Sequence, residues 1–344
     1  MNKILLMMLL VLGGMIGSCT TISTLSVDQL VPAEVSFPAE IRKVAVVDNL
    51  PHPPCRWPEN YTSADVEKTI DGDGEKTAES LAQYLADGNY FDQVIIRDSS
   101  LRGNVADRTF QALGQEEVKK LSEELGVDMI ISLDAVGIKA GVYVTYLYDI
   151  AELAGVVNAD VSTVARLYIP SRKGPLTTLS YRDSIQWYSP FIDQKEILEN
   201  ASDFVGSSLV RKLIPEWKTV YRYYYTGKYP DLRDGAYSVE HGKWEDARLS
   251  WKKLYDSGNP KKQKYAAFNT ALYYEMRDNL DEAKIWLGKA MKLVPDSGKA
   301  PGYESTEYRL MKSYLTELDR RKEELQKLNL QMQRFNENDS SESR

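Results

Sequence analysis

The chain has 344 residues, of which 43% are hydrophobic and 27% charged, the make-up of a globular protein with room for two ordinary domains. Its formal net charge of −7 is repelled by phosphate backbones and anionic surfaces, which argues against nucleic acid as a partner. Two cysteines and two histidines leave little material for a disulfide framework or a metal centre.

The amino terminus carries the sharpest signal. Lys3 is followed by an apolar run from Ile4 to Ile16, interrupted only by Gly13 and Gly14. That run falls short of the roughly 20 residues a spanning helix needs, and it suits the apolar part of a secretory signal. It ends in Ile16-Gly17-Ser18-Cys19, which resembles the bacterial lipobox. The resemblance implies a signal peptide over 1–18, acylation of Cys19 and a lipidated spacer over 19–39. Cys55 then stands alone, so no internal disulfide is available.

Arg42 to Asp48 (RKVAVVD) predicts a buried strand, because it is continuous and β-branched. Four prolines between Leu50 and Pro58 predict a rigid loop. Thr77 to Asp87 places Ala78, Leu81, Ala82 and Leu85 on one helical face, closed by Gly88. Phe91 to Arg97 predicts a strand, Gln115 to Leu125 a helix stopped by Gly126, and Met129 to Asp134 a third strand. Val142 to Tyr148, Val156 to Tyr168 and Thr177 to Trp187 predict antiparallel strands, and Gln194 to Leu213 a helix. This order predicts an α/β sandwich-like domain with a mixed sheet over 40–215.

The second half changes period. Gly235, Trp244, Ala247 and Trp251 fall at the spacings of a tetratricopeptide helix pair, and Leu280, Ala283 and Leu287 repeat the pattern 36 residues later. Those repeats, of about 34 residues each, predict an all-α region over 216–300, with the small residues at close helix approaches. Tyr265, Phe268, Leu272 and Met276 share a stripe on one helix of the second pair. They are assigned here as a partner groove, although a core face has the same spacing. A long helix is predicted over 301–335. Met311, Leu318, Leu325 and Met332 make one heptad series along it, and Tyr314, Leu328 and Phe335 a second, broken by Arg321. Such a seam serves either coiled-coil pairing with another copy or capping of the repeats. Residues 336–344 are polar and predicted to be disordered. The fold class is therefore α+β.

Catalytic signals are weak. His52 and Cys55 share the proline-rich loop without a third ligand or base. Asp71, Asp73 and Glu75 resemble part of a calcium loop but lack the closing glutamate, and fit a turn before a helix better. His241 reads as a helix-end residue. No phosphate loop or nucleophile elbow occurs. No cofactor, metal or enzyme activity is expected.

"RKVAVVD", "ESLAQYLADGNYFDQVIIRD" and "EELGVDMIISLDAV" resemble the amino-terminal domain of the translocation protein TolB and of curli-secretion lipoproteins. With "IPEWKTVYRYYY", "GKWEDARLSWKKL" and "AAFNTALYYEMRDNLDEAKIWLGKAMKL", the chain also resembles an uncharacterised lipoprotein family of Bacteroidetes. These resemblances imply an architecture and a cell-envelope location. The function expected is a non-catalytic scaffold at the outer membrane, facing the periplasm, that binds other envelope proteins through its helical repeats. The alternative is a subunit of an outer-membrane secretion or pore assembly.

Overall fold

The computed structural model describes residues 22–50, 68–97, 99–103, 111–149, 151–188, 194–294 and 305–341. The chain is mixed α+β, with a mixed-sheet domain followed by a run of helices. Strand β1 (Ile22–Val31) leads to β2 (Lys43–Asp48), β3 (Lys68–Asp71), α1 (Gly74–Asp87), β4 (Gln93–Ile96) and α2 (Gln115–Leu125). Three long strands follow, β5 (Met129–Leu147), β6 (Glu152–Tyr168) and β7 (Thr177–Trp187), then α3 (Gln194–Leu213) and β8 (Glu216–Tyr225). The remainder is α4 (Pro230–Glu240), α5 (Trp244–Asp256), α6 (Pro260–Glu275), α7 (Leu280–Lys292) and α8 (Thr306–Ser341).

These elements fall into two compact units. The sheet unit takes residues 32–216 and those from 328 onward. Its strands run β4-β2-β5-β6-β7, with β3 also paired to β5. β2 is parallel to both neighbours, Val44 lying opposite Val94 and Met129. Its run is continuously apolar because both faces are covered. Val44, Val46, Met129, Ile131 and Leu133 join the core that includes residues of α1 and α3. Ala45, Val47 and Ile130 pack with Val118 and Leu121 of α2 on the other face.

Helix starts follow local chemistry. Asp73 caps α1 by accepting the Lys76 amide at 2.9 Å. The flanking glycines of the Asp-Gly-Asp-Gly segment are needed for space: a Cβ on Gly72 would collide with Val136, and one on Gly74 with Asp48. Gly126 closes α2 in the left-handed conformation, at φ 65°.

The helical unit contains the paired strands β1 and β8 and residues 217–327. Its helices α4 to α7 pack in sequence order, and the first part of α8 completes the core. Among the described residues, no helix is long and apolar enough to cross a membrane.

Four expectations need correction. Residues 22–31 of the anticipated spacer form β1, because their period of two lets them pair with β8. Residues 216–225, placed at the head of an all-α region, form β8. Val142 to Tyr148 is not a separate strand, since β5 continues from Met129 to Leu147 with a register shift against β6 at Asp134. That carboxylate accepts from Ser132 at 2.7 Å, Asn49 at 2.8 Å and Arg166 at 2.5 Å, so it lies buried in the strand without stopping it. The terminal helix extends to Ser341, into the segment expected to be disordered.

Candidate interaction surfaces

The small residues of the helical unit are set for close approach. Ala247 and Ala283 are fully buried, as are Trp251 and Leu287, while Leu280 is nearly so and Trp244 is half-buried. A Cβ on Gly235 would strike the Trp251 indole, so α4 meets α5 only where a side chain is missing.

The stripe assigned as a partner groove is core. Phe268 is 2% exposed and Leu272 is fully buried, with Tyr265 and Met276 half-buried against the same cluster. Phe268 sits between the rings of Tyr225 and Tyr314, at centroid distances of 5.2 and 5.5 Å. Residues of β8 and α8 cover the stripe.

The same elements bring buried polar groups together. Glu275 accepts from Arg222 at 2.8 Å and from the Tyr314 hydroxyl at 2.6 Å, and Gln29 reaches it at 3.4 Å. Burial, and then the Glu275 carboxylate, raise the Tyr314 phenol well above its ordinary pKa. Tyr225 is raised by burial and by Glu307, which it meets at 3.0 Å while Lys264 meets Glu307 at 2.6 Å. Asn269 bonds both the amide and the carbonyl of Tyr225, at 2.8 and 2.7 Å, and fixes β8 to α6. Near the surface, hydrogen bonds from Arg248 and Tyr273 hold Glu245 down to about 2.

The seam of α8 is filled within the chain. Met311 and Leu318 are fully buried and Tyr314 is 8% exposed, all in the helical core. Arg321, which interrupts the series, donates to the Leu30 carbonyl at 2.7 Å. Leu328 is buried, while Leu325 and Met332 are half-buried. In the sheet unit, Gln331 bonds the amide and carbonyl of Ala33, and Tyr90 packs edge-on to Phe335 at 5.8 Å. The seam residues Met311, Tyr314, Leu318 and Leu328 therefore pack within their own chain.

A second polar group lies where the carboxyl end of β2 pairs with the opening residues of β5. Asp48, Asn49, Ser132 and Asp134 are buried there. Asp48 is committed to the Leu50 amide at 2.9 Å, and Asp134 to its three donors. These hydrogen bonds hold the side chains in place at the end of β2. Among the described residues, no group of three or more His, Cys, Asp or Glu side chains is placed to hold a metal ion. His241 bonds the Tyr237 carbonyl at the end of α4, at 2.7 Å. Cys19, His52 and Cys55 lie outside the described residues.

Two apolar surfaces stand open to solvent. β7 pairs with β6 only as far as Val157, so 143–147 and 152–156 continue as a two-stranded hairpin. Val144, Tyr146 and Tyr148 alternate onto one face, and Leu153 lies opposite Tyr146. Val144 and Leu153 are each 73% exposed and Tyr148 is 87% exposed. The sequence VYVTYLY concealed this, since it is apolar at both parities and names no inner face. The second surface is on β8, where Trp217, Tyr221 and Tyr223 are exposed at alternate positions.

The family described as Domain of unknown function (DUF6340) matches residues 233–320. No curated protein matches the chain. Among solved structures, a point-variant PelC dodecamer from Paraburkholderia phytofirmans is 12% identical and covers 55% of this chain and 99% of its own, with a TM-score of 0.26. A second PelC dodecamer from the same organism is 10% identical, covers 56% and 98%, and has a TM-score of 0.27. The family described as Domain of unknown function (DUF8603) matches residues 41–225, more than half of the chain, and the protein belongs to that family.

Proposed function

We propose that the chain is a cell-envelope lipoprotein, anchored in the outer membrane through Cys19, that acts as a non-catalytic scaffold for other envelope proteins. The carrying observation is the hairpin end. Val144, Tyr146, Tyr148 and Leu153 hold apolar side chains in water on two strands that extend past the rest of the sheet. Contiguous exposed apolar surface of this kind marks contact sites in soluble domains. The paired strands supply a stiff support and the tyrosines supply contact area at low entropic cost. The helical unit keeps its tetratricopeptide-like small residues for packing, so partner capture is assigned to the sheet unit.

Crosslinking in intact cells tests the reading. Val144→Ser with Leu153→Ser should abolish crosslinked adducts while leaving folding and fractionation unchanged. Adducts identical to wild type would sink the assignment. The anchor has its own test: Cys19→Ser should move the protein to the soluble fraction, and retention in a carbonate-washed pellet would count against acylation. A second reading is a pore or secretion subunit, since the hairpin holds exposed apolar side chains on two neighbouring strands. Discrete conductance steps in planar bilayers would favour that reading.

A further inference from the structure

The β1–β8 pair has one face committed to protein and, as far as Tyr223, one face open. Arg222 and Tyr224 of β8 are buried, as is Gln29 of β1, against the helical core. On the opposite parity, Trp217, Thr219, Tyr221 and Tyr223 are exposed, and so are Ile22, Thr24, Ser26 and Asp28 of β1. Thr219 donates to Asp28 at 2.6 Å, which places the two exposed sets on the same face. Trp217 is 71% exposed, Tyr221 63%, and Tyr223 and Ile22 46% each. Trp217 and Tyr223 are six positions apart on extended chain, so the aromatic row is about 20 Å long.

We propose that this face lies on the phospholipid surface, with the rings of Trp217, Tyr221 and Tyr223 at the headgroup level. The inference rests on acylation of Cys19. Ile22 comes three positions after Cys19, so an anchored chain starts β1 within about 10 Å of the lipid, however extended it is. The anchor therefore holds the Ile22 end of the ribbon beside the bilayer. Trp217 lies toward the other end, because Ser23 meets Thr226 while Thr219 meets Asp28, and it reaches the surface when the ribbon lies flat on it. Its composition fits that position. Indole and phenol rings have apolar bodies and polar tips, the property that concentrates Trp and Tyr at membrane–water boundaries. The other side chains on the face are hydroxyls, one Ile and one carboxylate already held by Thr219. No lysine or arginine lies on that parity of either strand, so the favoured lipid is zwitterionic rather than anionic.

The experiment uses the full acylated chain in phosphatidylcholine vesicles with brominated acyl chains, which quench tryptophan on contact. Wild type should float with the vesicles and lose fluorescence relative to unbrominated vesicles. Trp217→Phe should float equally and lose most of that quenching. Flotation with the same quenching in both proteins, or with none in wild type, overturns the proposal and leaves the anchor standing. Failure of wild type to float overturns the anchor and the proposal with it. If quenching is absent and Trp217→Ser dissociates an oligomer in detergent, the face belongs to a second copy, which also overturns the proposal.

Discussion

Phe268 on α6 and Leu153 on β6 are both large apolar residues, yet one is 2% exposed and the other 73%. In the helical unit, each apolar face meets the next helix in the chain, and the last faces are covered by β8 and α8. In the sheet unit, β5 and β6 outrun their neighbours, so an apolar face continues past the point where strand and helix cover ends. The spacing of apolar residues reports that a face exists. Whether the face is occupied depends on where neighbouring elements stop.

The comparison yields its largest test at those two positions. Phe268→Ser should destabilise the helical unit by about 3–5 kcal/mol, the usual result of emptying an aromatic site. Leu153→Ser should change stability by no more than about 0.5 kcal/mol, as expected of an exposed position. Denaturant titration of both variants decides the matter, and equal losses would remove the distinction between core stripe and open hairpin.

A smaller effect is expected where packing rests on an absent side chain. Gly235→Val should lower stability by about 1–3 kcal/mol, because the added atoms meet the Trp251 indole and the α4–α5 contact must open. Near-ultraviolet dichroism should show the change at the tryptophan bands. An unchanged spectrum and midpoint would show that the approach is not tight.

Titration separates the core of the helical unit from its rim. The phenol pKa values of Tyr314 and Tyr225 are raised in the fold, so their contribution is complete below the unfolded value of 10.0 and is lost as pH rises above it. Melting temperature should therefore fall above about pH 10, and less steeply in Tyr314→Phe. Glu245 behaves in the opposite sense. Its carboxyl pKa is depressed from 4.5 to about 2, so its contribution is present above pH 4.5 and lost as pH falls toward 2. Since Glu245 lies at the surface, Glu245→Gln should flatten the acid limb only slightly, the smallest effect in the series. An acid limb as steep in the variant as in wild type would remove Glu245 from the account.

Local rules made much of the sheet unit legible. The continuous run of β2, the helical face of α1, the Gly126 stop and the long β6 and β7 each follow from residues adjacent in sequence. The alanines and glycine at helix contacts were legible for the same reason, since close approach demands a small residue wherever it occurs. β3 escaped because four residues are too few to establish a period. β1 escaped because Ser, Thr and Val in alternation suit an unpaired spacer as well as a strand, and its partner β8 lies far along the chain. Tertiary structure alone decided which apolar stripes are occupied. It covered Phe268 with a strand and a helix from distant sequence, filled the α8 seam within the chain, and left the ends of β5 and β6 bare. Periodicity is a property of one segment, whereas burial depends on two surfaces meeting, and the second surface is supplied only by the folded chain.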